Sequence, residues 1–95
     1  MQLADPLLLR SNAYIDGRWE AADDGATFAV TDPASGEKIG EVPQMGARET
    51  ARAILAAEAA LPGWRTKTAK ERAALLRRWF ELILAHGDDL AQMIT

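Results

Sequence analysis

One helical run, from Thr68 to Ile94 (TAKERAALLRRWFELILAHGDDLAQMI), does most to limit what this chain can fold into. Thr68 followed three residues later by Glu71 is a capping box: the hydroxyl takes one orphan N–H and the carboxylate reaches back for another. Ala69, Leu75, Leu76, Trp79, Phe80, Ile83 and Leu84 then recur at helical spacing and predict a wide apolar face. Lys70, Glu71, Arg77, Arg78 and Glu81 fall mostly off that face and are expected in solvent. His86-Gly87 predicts a helix end, with Gly87 in the left-handed position after the last turn. Asp88 or Asp89 is placed to cap a further turn carrying Leu90, Met93 and Ile94. That turn has no closing glycine, basic residue or proline, so the chain is expected to stop mid-element.

A face this wide needs something to cover it, and the chain is short of large side chains for the purpose. Hydrophobic residues make up 48% of the 95, which rules out a disordered tail, but much of that share is alanine. Alanine favours helix and buries little surface. The expected partner of these faces therefore lies outside the chain. A net charge of −3 argues against a nucleic-acid or anionic-membrane binder. With no cysteine, disulfides, thiolate catalysis and Cys-based zinc sites are excluded from these residues. No apolar run approaches a membrane span, and the Leu7-Leu8-Leu9 run lacks a basic lead. A cytoplasmic protein is expected.

Upstream of the helical run, Asp5 is placed to cap a short helix with Pro6 at its first position, within residues 1–12. Residues 13–43 read as two hairpins. Asp16-Gly17 between Tyr14-Ile15 and Arg18-Trp19 predicts a two-residue turn with Tyr14 opposite Trp19 and Ile15 opposite Arg18. Phe28 and Val30 alternate as in a strand; Asp32-Pro33 and Gly36 make a turn; Ile39 and Val42 resume an extended segment that Pro43 ends. Residues 46–61 predict a helix with Gly46 as N-cap and Glu49 three residues on. Its stripe is Ala47, Ala51, Ile54, Ala57 and Leu61, and Pro62-Gly63 is its end. Residues 46–95 are thus helical. The fold class is α+β: two N-terminal β-hairpins followed by about three α-helices.

Side chains that carry chemistry are few. Arg65, Lys67, Lys70, Arg72, Arg77 and Arg78 form the one concentration of charge, suited to an anion such as a nucleotide phosphate, but a solvated helix face is the plainer reading. His86, the sole histidine, is expected to interact with terminal carbonyls. Asp23/Asp24 and Asp88/Asp89 are adjacent pairs that do not face each other, so turn and capping roles are expected before acid–base work. Gly36 and Gly40 lie between strands and make no phosphate loop. Trp64 and Trp79 are expected in a core.

Taken together, IDGRW, VTDPASGEKIGEVP, GARETARAILAAEAALPGW and KERAALLRRWF resemble, in order and spacing, the N-terminus of the aldehyde dehydrogenase superfamily from about Ala13 onward. MGARET, ALPGWRTKTAKERAALLRRWF and HGDDLAQMIT look most like its NAD(P)-dependent succinate-semialdehyde dehydrogenase branch. The resemblance implies an enzyme in which a cysteine attacks the aldehyde, hydride passes to nicotinamide and a glutamate activates water. It implies NAD or NADP for the full-length enzyme and none for these 95 residues alone. It also implies that this stretch is the outer part of the α/β Rossmann-like cofactor domain, with the catalytic domain absent. Partners implied are the remainder of the same chain and further copies in a homo-oligomer, with no nucleic acid and no membrane. In some relatives main-chain oxygens at the strand end matching Val30-Thr31 help hold a monovalent ion. No catalytic, cofactor-binding or metal residue is assigned within Met1–Thr95, and the isolated chain is expected to be inactive. A stand-alone helical interaction module and a small nucleotide-binding domain using the basic helix are the alternatives.

Overall fold

The computed structural model describes residues 1–95 as two compact units, Arg10–Leu61 and Met1–Leu9 with Pro62–Thr95. Along the chain run a 3₁₀ turn (Pro6–Leu8), strands β1 (Ala13–Ile15), β2 (Arg18–Glu20), β3 (Thr27–Thr31) and β4 (Lys38–Pro43), and helices α1 (Ala47–Arg65), α2 (Ala69–Ala85) and α3 (Gly87–Ile94).

In the first unit the strands form two separate antiparallel hairpins. Asp16 and Gly17 both take positive φ, +51° and +76°, as a type I′ turn requires. The pairing follows: Tyr14 opposite Trp19 and Ile15 opposite Arg18, with the two rings 4.9 Å apart. In the second hairpin Asp32 organises the turn. Its Oδ1 accepts the Ala34 N–H at 2.8 Å, its carbonyl accepts the Gly36 N–H at 2.7 Å, and Gly36 sits at φ +77°. Val30 pairs with Gly40 and Thr31 with Lys38, so Ile39 bulges out of register. Val30 is half-buried opposite Gly40, as the strand alternation predicts, yet Phe28 stays exposed. The hairpin tip Tyr14–Gly17 and Ala53, Ala56, Ala57 and Ala60 of α1 line one shallow depression.

Helix α1 departs from expectation in three ways. Its covered positions are Glu49, Ala53 and Ala56, whereas the predicted stripe of Ala47, Ala51, Ile54, Ala57 and Leu61 is exposed, Ile54 at 62%. Glu49 makes no capping box: its buried carboxylate accepts the Asp23 N–H at 3.4 Å, tying the helix to the inter-hairpin turn. Nor does Pro62 end the helix, which runs on to Arg65. A proline removes its own N–H from the ladder and crowds the carbonyl four residues back, but its own carbonyl is free to continue the helix, and the next turn closes through Thr66 N–H to Pro62 O at 3.1 Å.

In the second unit Thr68 and Glu71 form both halves of the capping box, at 3.1 and 2.9 Å. Replacing Thr68 by alanine is expected to lower stability by about 1 kcal/mol, read as a shift in urea midpoint at unchanged slope. Gly87, predicted beyond a helix end in the left-handed region, is instead the first residue of α3, and its φ is not positive. His86 alone, at φ −112° and ψ 21°, separates α2 from α3. One non-helical residue is enough to turn the chain without a left-handed glycine. No helix is long and apolar enough to cross a membrane.

Candidate functional site

The feature that asks for a function is an uncovered apolar surface. Helix α2 contains no buried residue, and Leu75, Leu76, Trp79, Phe80, Ile83 and Leu84 are all exposed, Trp79 at 63% and Leu84 at 65%. The core expectation for Trp79 and Trp64 therefore does not hold within this chain; Trp64 is 38% exposed. Capping and propensity form the helix locally, while nothing among the 95 residues supplies its cover. Full burial of one such side chain is worth about 1.5–3 kcal/mol, so a surface of this extent marks an interface.

The charged candidates are arranged more plainly. Arg65, Lys67, Lys70, Arg77 and Arg78 are exposed; Arg72 is half-buried, with no hydrogen-bond partner for its Nε. Of the six, Arg77 alone makes an ion pair, to Glu81 at 3.4 Å, and its guanidinium lies 5.2 Å from the Phe80 ring centre. His86 does not use its imidazole on the terminal carbonyls; its backbone N–H, donating to Leu82 O at 3.1 Å, closes α2.

One aspartate of each pair, Asp23 and Asp89, does structural work at long range, while Asp24 keeps the expected turn role. Asp23 takes both arms of Arg52, at 2.8 and 2.9 Å, while Asp24 accepts the Ala26 N–H at 2.9 Å. The Arg52 bond holds the Asp23 carboxyl below its ordinary 3.8, and the same bond raises Arg52. Lys38, bonded at 2.8 Å, lowers Glu41 in the same way. Asp89, expected to cap α3, instead accepts the N–H groups of Asp5 and Ala4 at 2.9 and 2.8 Å, and those bonds lower its pKa. A carboxyl more acidic in the folded than in the unfolded chain adds stability above its unfolded pKa and loses it as pH falls through the folded value. Stability is therefore expected to hold above about pH 5 and to decline below pH 4. The Asp89→Asn and Asp23→Asn variants should flatten that decline in a pH series of thermal melts.

Asp89 and Glu49 were out of reach of motif reading because their partners lie 85 and 26 positions away. The only signal was negative, a carboxylate in a helix first turn that its own helix did not need. The strand end at Val30-Thr31 coincides with the register shift of the second hairpin.

Hairpins, helices and uncovered faces together match a known architecture. The family model for the aldehyde dehydrogenase family matches residues 19–95, and the chain belongs to that family. It is 60% identical over all 95 residues to glutarate-semialdehyde dehydrogenase of Pseudomonas putida. It is 54% identical, again over its whole length, to the NADP(+) succinate-semialdehyde dehydrogenase of Escherichia coli. The crystal structure of succinate-semialdehyde dehydrogenase from Burkholderia pseudomallei superposes on the whole chain with a TM-score of 0.96 at 64% identity. In each case the chain spans about a fifth of the relative's length, 20%. The two hairpins and three helices are thus an N-terminal fragment of the aldehyde dehydrogenase fold.

Proposed function

We propose that these residues are the N-terminal part of a cytoplasmic, NAD(P)-dependent semialdehyde dehydrogenase that oxidises succinate semialdehyde to succinate. The observation that carries this reading is the match of the whole chain to a succinate-semialdehyde dehydrogenase structure at 64% identity. The share of that chain covered, 20%, makes the rest of the enzyme the natural cover for α1 and α2. In this reading the segment is an outer layer of the cofactor-binding domain, and the complete enzyme is a homo-oligomer.

The role of Met1–Thr95 is then scaffolding. A thiol nucleophile has to come from elsewhere, since these residues contain no cysteine. The basic side chains spread along an exposed helical surface from Arg65 to Arg78, and no glycine-rich turn joins a strand to a helix. Neither arrangement fits a dinucleotide cradle, so no residue here is assigned to the cofactor. A glutarate semialdehyde substrate is the second reading, favoured by the 60% identity to the Pseudomonas putida enzyme.

The test is a comparison of the full-length enzyme with the 95-residue chain, each given succinate or glutarate semialdehyde with NAD or NADP. The full-length enzyme should form NAD(P)H fastest with succinate semialdehyde, and the chain alone should form none above buffer. No reduction of either cofactor by the full-length enzyme with either semialdehyde would overturn the proposal.

A further inference from the structure

The N-terminal segment Met1–Leu9 has little of its own to hold it in place. Its only regular structure is the three-residue turn Pro6–Leu8, closed by Leu8 N–H to Asp5 O at 3.1 Å and Leu9 N–H to Pro6 O at 3.3 Å. A turn that short has no independent stability. No residue of the turn is buried, Leu3, Asp5 and Leu8 are only half-buried, and no ion pair involves the segment. Within residues 1–95 its hydrogen-bonded attachment is to polar groups of α3. Asp89 is 7% exposed, forms no ion pair, and gives one oxygen each to two consecutive N–H groups, Ala4 at 2.8 Å and Asp5 at 2.9 Å. Gln92, one turn on, completes the fastening. With its amide turned to satisfy both groups, its nitrogen donates to Gln2 O at 2.7 Å and its oxygen accepts the Gln2 N–H at 3.3 Å.

From this geometry we infer that Met1–Leu9 is a detachable strap and that Asp89 is its latch. Two of the four long-range polar bonds converge on one carboxylate, and charge-assisted bonds are the strong ones. Removing that carboxylate takes the protein partner from two adjacent N–H groups at once, so half of the strap's polar attachment to α3 is lost in a single substitution. Helix α2 has its own capping box and its own ladder, and no hydrogen bond joins it to the strap. Opening is therefore local: the strap leaves while α2 stays folded, as low-stability segments do elsewhere.

Amide hydrogen exchange in the full-length enzyme tests this, with Asp89→Ala, Asp89→Asn and Gln92→Ala beside the wild type. In Asp89→Ala the Ala4 and Asp5 amides should exchange at least about tenfold faster while the α2 amides keep their rates. Asp89→Asn, retaining one acceptor oxygen, should fall between. Gln92→Ala should accelerate Gln2 more than Asp5. Unchanged exchange at Ala4 and Asp5 in Asp89→Ala would overturn the inference. So would an equal acceleration across α2, which would make Asp89 a support of the whole helical unit and no latch.

Discussion

Replacing Trp79 by alanine is expected to cost about 3–5 kcal/mol in the full-length enzyme and less than about 0.5 kcal/mol in the 95-residue chain. The contrast follows from the ring being 63% exposed here while sitting mid-face on α2, between Leu75, Leu76 and Ile83. In the isolated chain, truncation removes little that was buried and opens no cavity. With the remainder of the enzyme packed on α2, the same truncation leaves a void the size of an indole. Chemical denaturation of both forms, with and without the substitution, gives the two numbers. Equal losses in both would mean that Trp79 finds its cover within residues 1–95.

The second large effect concerns the chain by itself. Leu75, Leu76, Trp79, Phe80, Ile83 and Leu84 lie on one helix with nothing over them, and Ile54, Leu55 and Leu61 are exposed on another. A surface of that extent drives association. The 95-residue chain is expected to sediment as a concentration-dependent mixture and to bind a hydrophobic dye strongly. Adding the Leu76→Lys and Phe80→Lys substitutions together should weaken the association and lower the dye binding, since both break the α2 face. Light scattering and sedimentation over a hundredfold range of concentration read both outcomes. A cooperative, concentration-independent monomer of the unmodified chain would run against this account.

What could be read from the residues was whatever depends on near neighbours. Asp16-Gly17 specified its turn and, through it, the exact pairing of Tyr14 with Trp19. Thr68 and Glu71 closed their box within a single turn of helix. Asp5 capped its turn through Leu7. Each of these is settled within about five positions by hydrogen bonds that the local sequence offers. The misreadings are of two kinds. Pro62 and Gly87 carry the local signals of helix ends, yet helix runs through the first and starts at the second, since the proline carbonyl still serves the next turn and His86 alone makes the break. Asp89, Glu49 and the faces of α1 and α2 depend on groups distant in sequence or outside these residues altogether. Periodicity correctly predicted an apolar face on α2, but it could not say that the face looks outward here. That face was the strongest sign of function in the residues themselves, and the resemblance to aldehyde dehydrogenases was what gave it a partner.

The central claim is that the exposed face of α2 is an internal surface of the complete enzyme. Hydroxyl-radical footprinting addresses it most directly, since Trp79 and Phe80 lie on that face and oxidise readily when open to solvent. Measured side by side, both should be modified quickly in the 95-residue chain and strongly protected in the full-length enzyme, with an added free peptide as the dose reference. Equal modification of Trp79 and Phe80 in the two forms would contradict the claim.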